Sequence, residues 1–520
     1  MNLLTERYLN YMLVCDKELN IKDIEDLLFG GETIAPGREA YERMERSFNF
    51  LKEFSKEKVI YGINTGFGPM SQFRVDDKDL KQLQLNLIRS HACGTGELLT
   101  DTQVKAAMIA RLATYVQGYS GVHPSLPLLL TEFINRGIYP VIPQHGGVGA
   151  SGDLVQLAHM GLALIGEGKV HYKGQFRNSK DVLLENGLEP VEIRIREGLA
   201  INNGTAVMTG IGLINLLHAG RLMQWAVAAS SLVNEIAGSY DDFLSPELNR
   251  KKRHKGQIFI AEKMSEMLTG SQCLKRRQSY LYNREVNGDK VFRDKVQPFY
   301  SLRCVPQILG PVADTLDQSM KVLLDELNSS CDNPIVDPES KNVYHGGNFH
   351  GDYVSLEMDK MKIAVTKLTM LMERQLNYIC HDKVNQILPA FVNLGVPGLN
   401  YGMQAAQFTA TSTTAECQTL SMPNYIHSIP NNNDNQDVVS MGTNSALITA
   451  KVIENAFQVT AIHLMALIQG VDCLGIEDSL SPVTRGIYDQ IRSFFPAVKE
   501  DEVLFPYIAK TIEYIINNKP

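Results

Sequence analysis

Eight cysteines in 520 residues form no CxxC pair and keep no regular spacing, which leaves little room for a zinc ribbon or a disulfide framework. A reducing cytoplasm suits this usage. Basic charge is not in excess either. The net charge is −8 and the isoelectric point about 5.9, which argues against a binder of phosphate backbones. The one dense basic run, Arg250-Lys251-Lys252-Arg253-His254-Lys255, has no aromatic or basic stripe beside it and reads as a solvated loop. No apolar run approaches the roughly 18–20 residues of a membrane span. The opening Met1-Asn2-Leu3-Leu4-Thr5-Glu6-Arg7 sets charge where a secretion signal needs an unbroken apolar core. Internal repeats, low-complexity tracts and flexible linkers are missing too. What is present is a chain with 44% hydrophobic and 21% charged residues, ordinary for a globular protein. It is long enough for a large core and two or three subdivisions, and the expected location is the cytoplasm.

Asp23-Ile24-Glu25-Asp26-Leu27-Leu28 followed by Gly30-Gly31 predicts a short helix and its stop. Val59-Ile60-Tyr61-Gly62-Ile63-Asn64-Thr65-Gly66-Phe67-Gly68 is a short apolar run that breaks into a glycine-rich loop carrying a tyrosine, either a lid or a plain connection. Residues 102–118 show one helical face through Val104, Met108, Leu112 and Tyr115. The strand-like matter of note is Lys169-Val170-His171-Tyr172 and Val191-Glu192-Ile193. After Gly204 the pattern is helical, with faces Leu316–Met320–Leu323–Leu327, Met361–Val365–Leu368–Met372–Leu376–Ile379 and Ile448–Val452–Ala456–Val459–Ile462–Ala466. Residues 354–380 contain no Gly or Pro, so one helix of about 40 Å is expected at ~1.5 Å per residue. Such helices bury several faces only in a bundle. The expected fold is mainly α, divided at 1–210, 211–475 and 476–520.

The chemistry centres on His145-Gly146-Gly147-Val148-Gly149-Ala150-Ser151-Gly152-Asp153-Leu154. Gly147-x-Gly149-x-x-Gly152 has the spacing of a dinucleotide-binding loop. Pro140 and Pro143 interrupt the preceding segment, however, and no βαβ series follows, as that fold needs. The other reading is self-modification. In a bent Ala150-Ser151-Gly152 the Gly152 nitrogen can attack the Ala150 carbonyl, and loss of water from Ser151 leaves an electrophilic methylene.

Other polar clusters stand out. Asn202-Asn203-Gly204 precedes a helix, Tyr300 and Arg303 share a face if helical, and Asn431-Asn432-Asn433-Asp434-Asn435-Gln436-Asp437 precedes another helix that Asp437 or Ser440 could cap. An arginine such as Arg303 can hold a carboxylate through two parallel bonds, or simply form an ion pair. His345, His350 and Asp352 lack the spacing of a zinc motif and read as a hydrogen-bonded turn.

Taken in order, YGINTGFG at 61–68, GVGASGDLVQLAH at 147–159, INNGT at 201–205, YSLRCVPQILGP at 300–311, DNPI at 332–335, GGNFHG at 346–351 and NNDNQDVVSMG at 432–442 resemble the signature blocks of the aromatic amino acid ammonia-lyase family. The likeness runs from about residue 20 to 515 and is nearest to the family's flavobacterial tyrosine-specific branch. It implies a long-helix bundle of the fumarase/aspartase-like type, with a smaller mixed N-terminal part carrying the Ala-Ser-Gly loop. It also implies a homotetramer whose active sites combine three subunits, and a 4-methylidene-imidazol-5-one (MIO) group made from Ala150, Ser151 and Gly152. By the same resemblance Tyr61 is the base, Asn203 and Tyr300 support the prosthetic group and the amine, and Arg303 anchors the carboxylate. Asn333, Asn432, Asn435 and Gln436 surround substrate and ring, and Phe349 lies beside the reacting carbons. Ser90 and His91 match the pair facing the substrate ring, and Glu416 matches an acidic position typical of histidine enzymes. Both polar positions imply a substrate ring with a hydrogen-bonding group. The implied reaction is loss of ammonia from an aromatic L-amino acid, with L-tyrosine to trans-p-coumarate favoured. Its rivals are L-histidine to urocanate, a 2,3-aminomutase, and a non-catalytic helical scaffold.

Overall fold

The structure, a computed structural model, describes residues 13–16, 18–283, 291–292 and 295–520. The chain forms two compact units, each assembled from three segments: Met1–Asn215, Ser319–Asp359 and Pro423–Leu447 in the first, and Leu216–Gln318, Lys360–Met422 and Ile448–Pro520 in the second.

Helices dominate the first unit, and their ends follow local chemistry. The Ile21–Phe29 helix starts on an Asn20–Asp23 capping box and stops at Gly30, as the sequence predicts. The Asp101–Val116 helix opens on a Thr100–Gln103 capping box, and Val104, Met108, Leu112 and Tyr115 are all buried. In the Arg38–Phe54 helix, Ala40, Met44, Ser47, Phe48 and Leu51 form the buried face. Leu51 packs in a small core with Ile60, Ile63, Val336 and Val343. That core matters for the site, because Ile60 and Ile63 flank Tyr61 and Gly62. Val336 and Val343 are paired partners in the Ile335–Asp337 and Asn342–Tyr344 hairpin.

Strands are few and short. Lys169–Tyr172 pairs with Gln175–Asn178 and with Tyr139–Pro140. The expected strand at 191–193 does not form: Val191 donates one bond to the Leu164 carbonyl, and no ladder follows. Thr95–Leu98 pairs with Pro143–His145 instead, directly ahead of the glycine-rich loop.

Asp352–Cys380 is a single helix, as its lack of Gly and Pro predicts. Within the second unit its Met361, Val365, Leu368, Met372, Leu376 and Ile379 are all buried. Each contributes roughly 1.5–3 kcal/mol relative to an exposed side chain. Ala206–Ile236 and Gly442–Leu474 are long and apolar enough, by length and composition, to cross a membrane. This corrects the expectation that no apolar run reaches that size. Most of each apolar stretch is buried within the fold, where a helix apolar on all sides satisfies its surface. The Gly442–Leu474 helix is not capped by Asp437 or Ser440. Its first turn closes from the Ser445 N–H to the Met441 carbonyl, which puts Met441 at the cap.

Candidate active site

The first unit contains a cleft of about 380 Å³ lined by Tyr61, Ser151, Asn203, Asn333, Phe349 and Asn435, together with Gly68, Ser71, Leu199, His345 and Gly346. Six residues singled out in the sequence therefore converge, though they are spread over 375 positions (435 − 61 + 1).

Ser151 is held by groups from two distant segments. Asn203 Nδ2 donates to the Ser151 carbonyl at 3.1 Å, and the Gly204 N–H approaches the same oxygen at 3.4 Å. Gln436 Nε2 donates to the Ser151 hydroxyl at 3.1 Å. The flanking loop is tied down by the Met441 N–H on the Val148 carbonyl, the Gly351 N–H on the Gly149 carbonyl, and the Asp153 N–H on the Gly204 carbonyl. Gly152 has φ +74°, and a Cβ there would lie 2.0 Å from the Gly204 carbonyl oxygen. Only glycine tolerates both the backbone and the approach. Gly152→Ala should therefore displace the loop and block the ring closure expected of Ala150-Ser151-Gly152. The check is intact mass, with the variant expected at the mass of its unmodified chain.

Asp153, fully buried, anchors the N-terminus of the Ala206–Ile236 helix. It accepts from the backbone N–H groups of Val207 at 2.8 Å and Met208 at 2.9 Å, and from the Thr443 hydroxyl. An acidic residue at a helix N-terminus meets the positive end of the dipole there. Burial nonetheless pushes its carboxyl up to about 6, against the pull of those donors.

Tyr61 sits in a turn closed by the Gly62 N–H on Thr65 Oγ1 and by Gln84 Nε2 on the Gly62 carbonyl. Its phenol oxygen accepts from the Gly68 N–H at 3.2 Å. The amide-rich loop has a backbone reason for its composition. Asn432, Asn433 and Asp434 have φ of +57°, +53° and +57°, and asparagine and aspartate enter the left-handed region more easily than other side chains. Asn432 also lies beside Gly68, where a Cβ would meet its amide nitrogen at 2.9 Å. Asn333 accepts the Gly346 N–H at 2.8 Å, tying the DNPI segment to the GGNFHG loop. His350 pairs with Asp352 at 3.2 Å.

The Glu197–Asn202 helix leads into Asn203. Glu197 accepts from the backbone N–H groups of His123 and Arg194, yet burial pushes its carboxyl up to about 7. A value raised above the unfolded ~4.3 means that the folded state binds the proton more tightly. Stability from this group is thus full below the unfolded value and lost as pH rises through about 7. Chemical denaturation at about pH 5 and about pH 8 should show a larger fall in the wild type than in Glu197→Gln.

Other expected site residues stand apart from this cleft. Ser90 and His91 end the Leu80–His91 helix and do not line it. His91 is half-buried, and its Nδ1 lies 3.0 Å from the Leu87 carbonyl. Ser90 Oγ lies 3.0 Å from the same nitrogen. Burial holds the ring's pKa below the usual histidine value. Tyr300, Arg303 and Glu416 belong to the second unit. Tyr300–Arg303 is a helical turn, which puts the two side chains on one face, and the guanidinium stacks 4.5 Å from the Tyr300 ring centroid. Gln375 holds the Ser301 carbonyl of this turn and Asn234 the Leu302 carbonyl. Glu416 is exposed in the single chain and accepts from Asn455 Nδ2 at 2.6 Å. His345 lines the cleft but was read from the sequence only as a turn residue; its place directly before the GGNFHG block was the available signal.

Fold and site together define a helical enzyme class in which a glycine-bent Ala-Ser-Gly loop is held against a tyrosine and several amides. The chain belongs to the aromatic amino acid lyase family, whose model matches residues 19–493. It is 40% identical to a tyrosine 2,3-aminomutase of Chondromyces crocatus over 95% of this chain and 94% of that protein. It is 36% identical to a histidine ammonia-lyase of Treponema denticola, over 97% of each. Among solved structures, the tyrosine aminomutase from Streptomyces globisporus superposes with a TM-score of 0.93 at 34% identity, covering 97% of each chain.

Proposed function

We propose that the protein removes ammonia from L-tyrosine to give trans-p-coumarate, using an MIO group formed from Ala150, Ser151 and Gly152. The observation that carries this reading is the cleft shared by Tyr61, Ser151 and Asn203. The residues present fit the group. Ser151 supplies the hydroxyl lost as water, Gln436 donates to that hydroxyl, and Asn203 and Gly204 donate to the carbonyl that the closed ring keeps. When formed, the group supplies the electrophile that makes an otherwise unreactive elimination feasible.

The chain's own residues do the rest. Tyr61 takes the β-proton, and the carbon–nitrogen bond breaks to release the amine as ammonia. General-base help contributes about 10²–10⁴-fold, so Tyr61→Phe should lower kcat by that order. Arg303 holds the substrate carboxylate and Tyr300 faces the amine. Asn333, Asn432 and Asn435 bound the site, and Phe349 packs beside the reacting carbons. These roles suit a cytoplasmic homotetramer that combines residues of three subunits in each site, which light scattering on the purified protein tests.

By resemblance, the His91 imidazole pairs with a donor on the substrate ring, either a phenol O–H or an imidazole N–H. Glu416 offers a second acceptor. A phenyl ring would leave both unpaired, so L-phenylalanine should be a poor substrate. Losing one such bond costs roughly 1–3 kcal/mol. His91→Leu should therefore lower kcat/KM for tyrosine about ten- to a hundredfold while leaving that for phenylalanine nearly unchanged.

A second reading follows from the 40% identity to a tyrosine 2,3-aminomutase: the same residues would retain the product and return ammonia to the β-carbon. One experiment separates the readings. L-tyrosine, L-histidine and L-phenylalanine are offered separately, ultraviolet absorbance follows the unsaturated acids, and chromatography looks for a β-amino acid. Faster urocanate than coumarate formation refutes the tyrosine assignment, and β-tyrosine as the main product refutes the lyase.

A further inference from the structure

Beneath the cleft lies a buried charge cluster with no part in the reaction outlined above. Asp332 is fully buried between two arginines, with Arg111 Nη2 at 3.5 Å and Arg196 Nη1 at 3.4 Å, both on the same carboxylate oxygen. The guanidiniums are themselves about 99–100% buried. Each arginine also donates to the backbone of a segment that supplies a cleft asparagine. Arg111 Nη1 donates to the Asn203 carbonyl at 2.7 Å, and Arg196 Nη2 donates to the Pro334 carbonyl at 2.7 Å, next to Asn333. Arg196 is further tied to the Ser120 carbonyl. The fit is close: a Cβ on Gly204 would lie 2.4 Å from Arg111 Nη1.

We infer that Arg111, Arg196 and Asp332 form one positioning unit that sets Asn203 and Asn333, and through Asn203 the Ser151 carbonyl, for the reaction. This rests on the reading that Asn203 serves the group made from Ser151. Three observations carry it. First, a buried charge needs a paired and hydrogen-bonded setting, and Asp332 immediately precedes Asn333, so the carboxylate's position dictates that of the asparagine. Second, a guanidinium offers several donors in a fixed fork. Arg111 therefore locks the Asn203 backbone against the same carboxylate that Arg196 holds. Third, Asn203 and Gly204 are the groups on the Ser151 carbonyl, and the Gly204 carbonyl takes the Asp153 N–H. A shift of the 203–204 backbone is thus passed to both sides of Gly152.

The test is a double-mutant cycle between Arg111→Lys and Asn203→Ala, read on kcat for L-tyrosine and on the fraction of chains whose intact mass lacks two waters. Lysine keeps one charge and loses the fork. Arg111→Lys should lower kcat about tenfold or more, a loss of more than one bond's worth, with KM little changed and a reduced share of chains lacking two waters. In the Asn203→Ala background it should have no further effect on either readout. A folded Arg111→Lys protein whose loss simply multiplies with that of Asn203→Ala overturns the inference, as does one with wild-type kcat and ring content. If Arg111→Lys does not fold, the cycle between Asp332→Asn and Asn333→Ala decides in the same way, additivity again overturning the unit. The underlying reading fails differently: Asn203→Ala alone would then leave turnover and the water deficit unchanged.

Discussion

Ser151→Ala is expected to give a folded chain with no measurable deamination of any aromatic amino acid. The Ser151 hydroxyl and carbonyl receive Gln436 and Asn203 at 3.1 Å each, whereas the backbone bonds that shape the loop come from Met441, Gly351 and Gly204. Loss of the hydroxyl removes one exposed-side hydrogen bond and no buried packing. The expected stability change is within about 1 kcal/mol, that of a single hydrogen bond. The chemical consequence is far larger. Alanine has no hydroxyl to lose, so no methylene forms, and Tyr61 alone cannot supply more than the ~10²–10⁴-fold of a general base. Circular dichroism and thermal melting should match the wild type. Absorbance assays should fall to background, and the two-water mass deficit of the wild type should be absent. Wild-type turnover in the variant would refute self-modification, and a wild-type chain at its full unmodified mass would point to the non-catalytic scaffold.

Asp332→Ala has the largest expected effect on stability. In the folded protein it would leave Arg111 and Arg196 buried with no carboxylate between them. Removing one partner of a buried ion pair typically costs about 3–5 kcal/mol, because the remaining charge stays desolvated. Here two like charges remain, so the upper part of that range is expected. A stability of ~5–15 kcal/mol would be cut substantially, and urea unfolding should show the midpoint falling without a change in slope. Asp332→Asn, which keeps shape and hydrogen-bonding capacity, should lose less. Equal midpoints for Asp332→Ala and the wild type would mean that the cluster adds nothing to folding.

Much of this site was legible in the amino-acid order, for different reasons at different residues. Ala150-Ser151-Gly152 was recognisable because its reactivity is local: three small residues in a glycine-rich run can bend, and the attacking and attacked atoms are covalent neighbours. Spacing showed that Tyr300 and Arg303 would share a face if helical, and the structure supplies the helical turn. The strand expected at 191–193 failed because a lone apolar alternation needs a partner strand, and Val191 finds only the Leu164 carbonyl. The apolar helices Ala206–Ile236 and Gly442–Leu474 were underestimated because scattered polar residues interrupt them in sequence. Some of these, such as Ser230, Asn234 and His463, are buried in the fold.

By itself the sequence determined the helical character, the self-reactive tripeptide and the family. All of these depend on neighbours within about one or two helical turns, or on an ordered set of short blocks. Only the tertiary structure decided which distant groups serve Ser151. Asn203 on its carbonyl, Gln436 on its hydroxyl, and Tyr61 and Asn333 across the cleft are brought there by separate elements. The structure alone revealed that Asp332 lies between Arg111 and Arg196, residues 221 and 136 positions away in the chain. Charges that far apart in sequence carry no mutual signal. They meet because a desolvated carboxylate is tolerated only where the fold delivers its counter-charges.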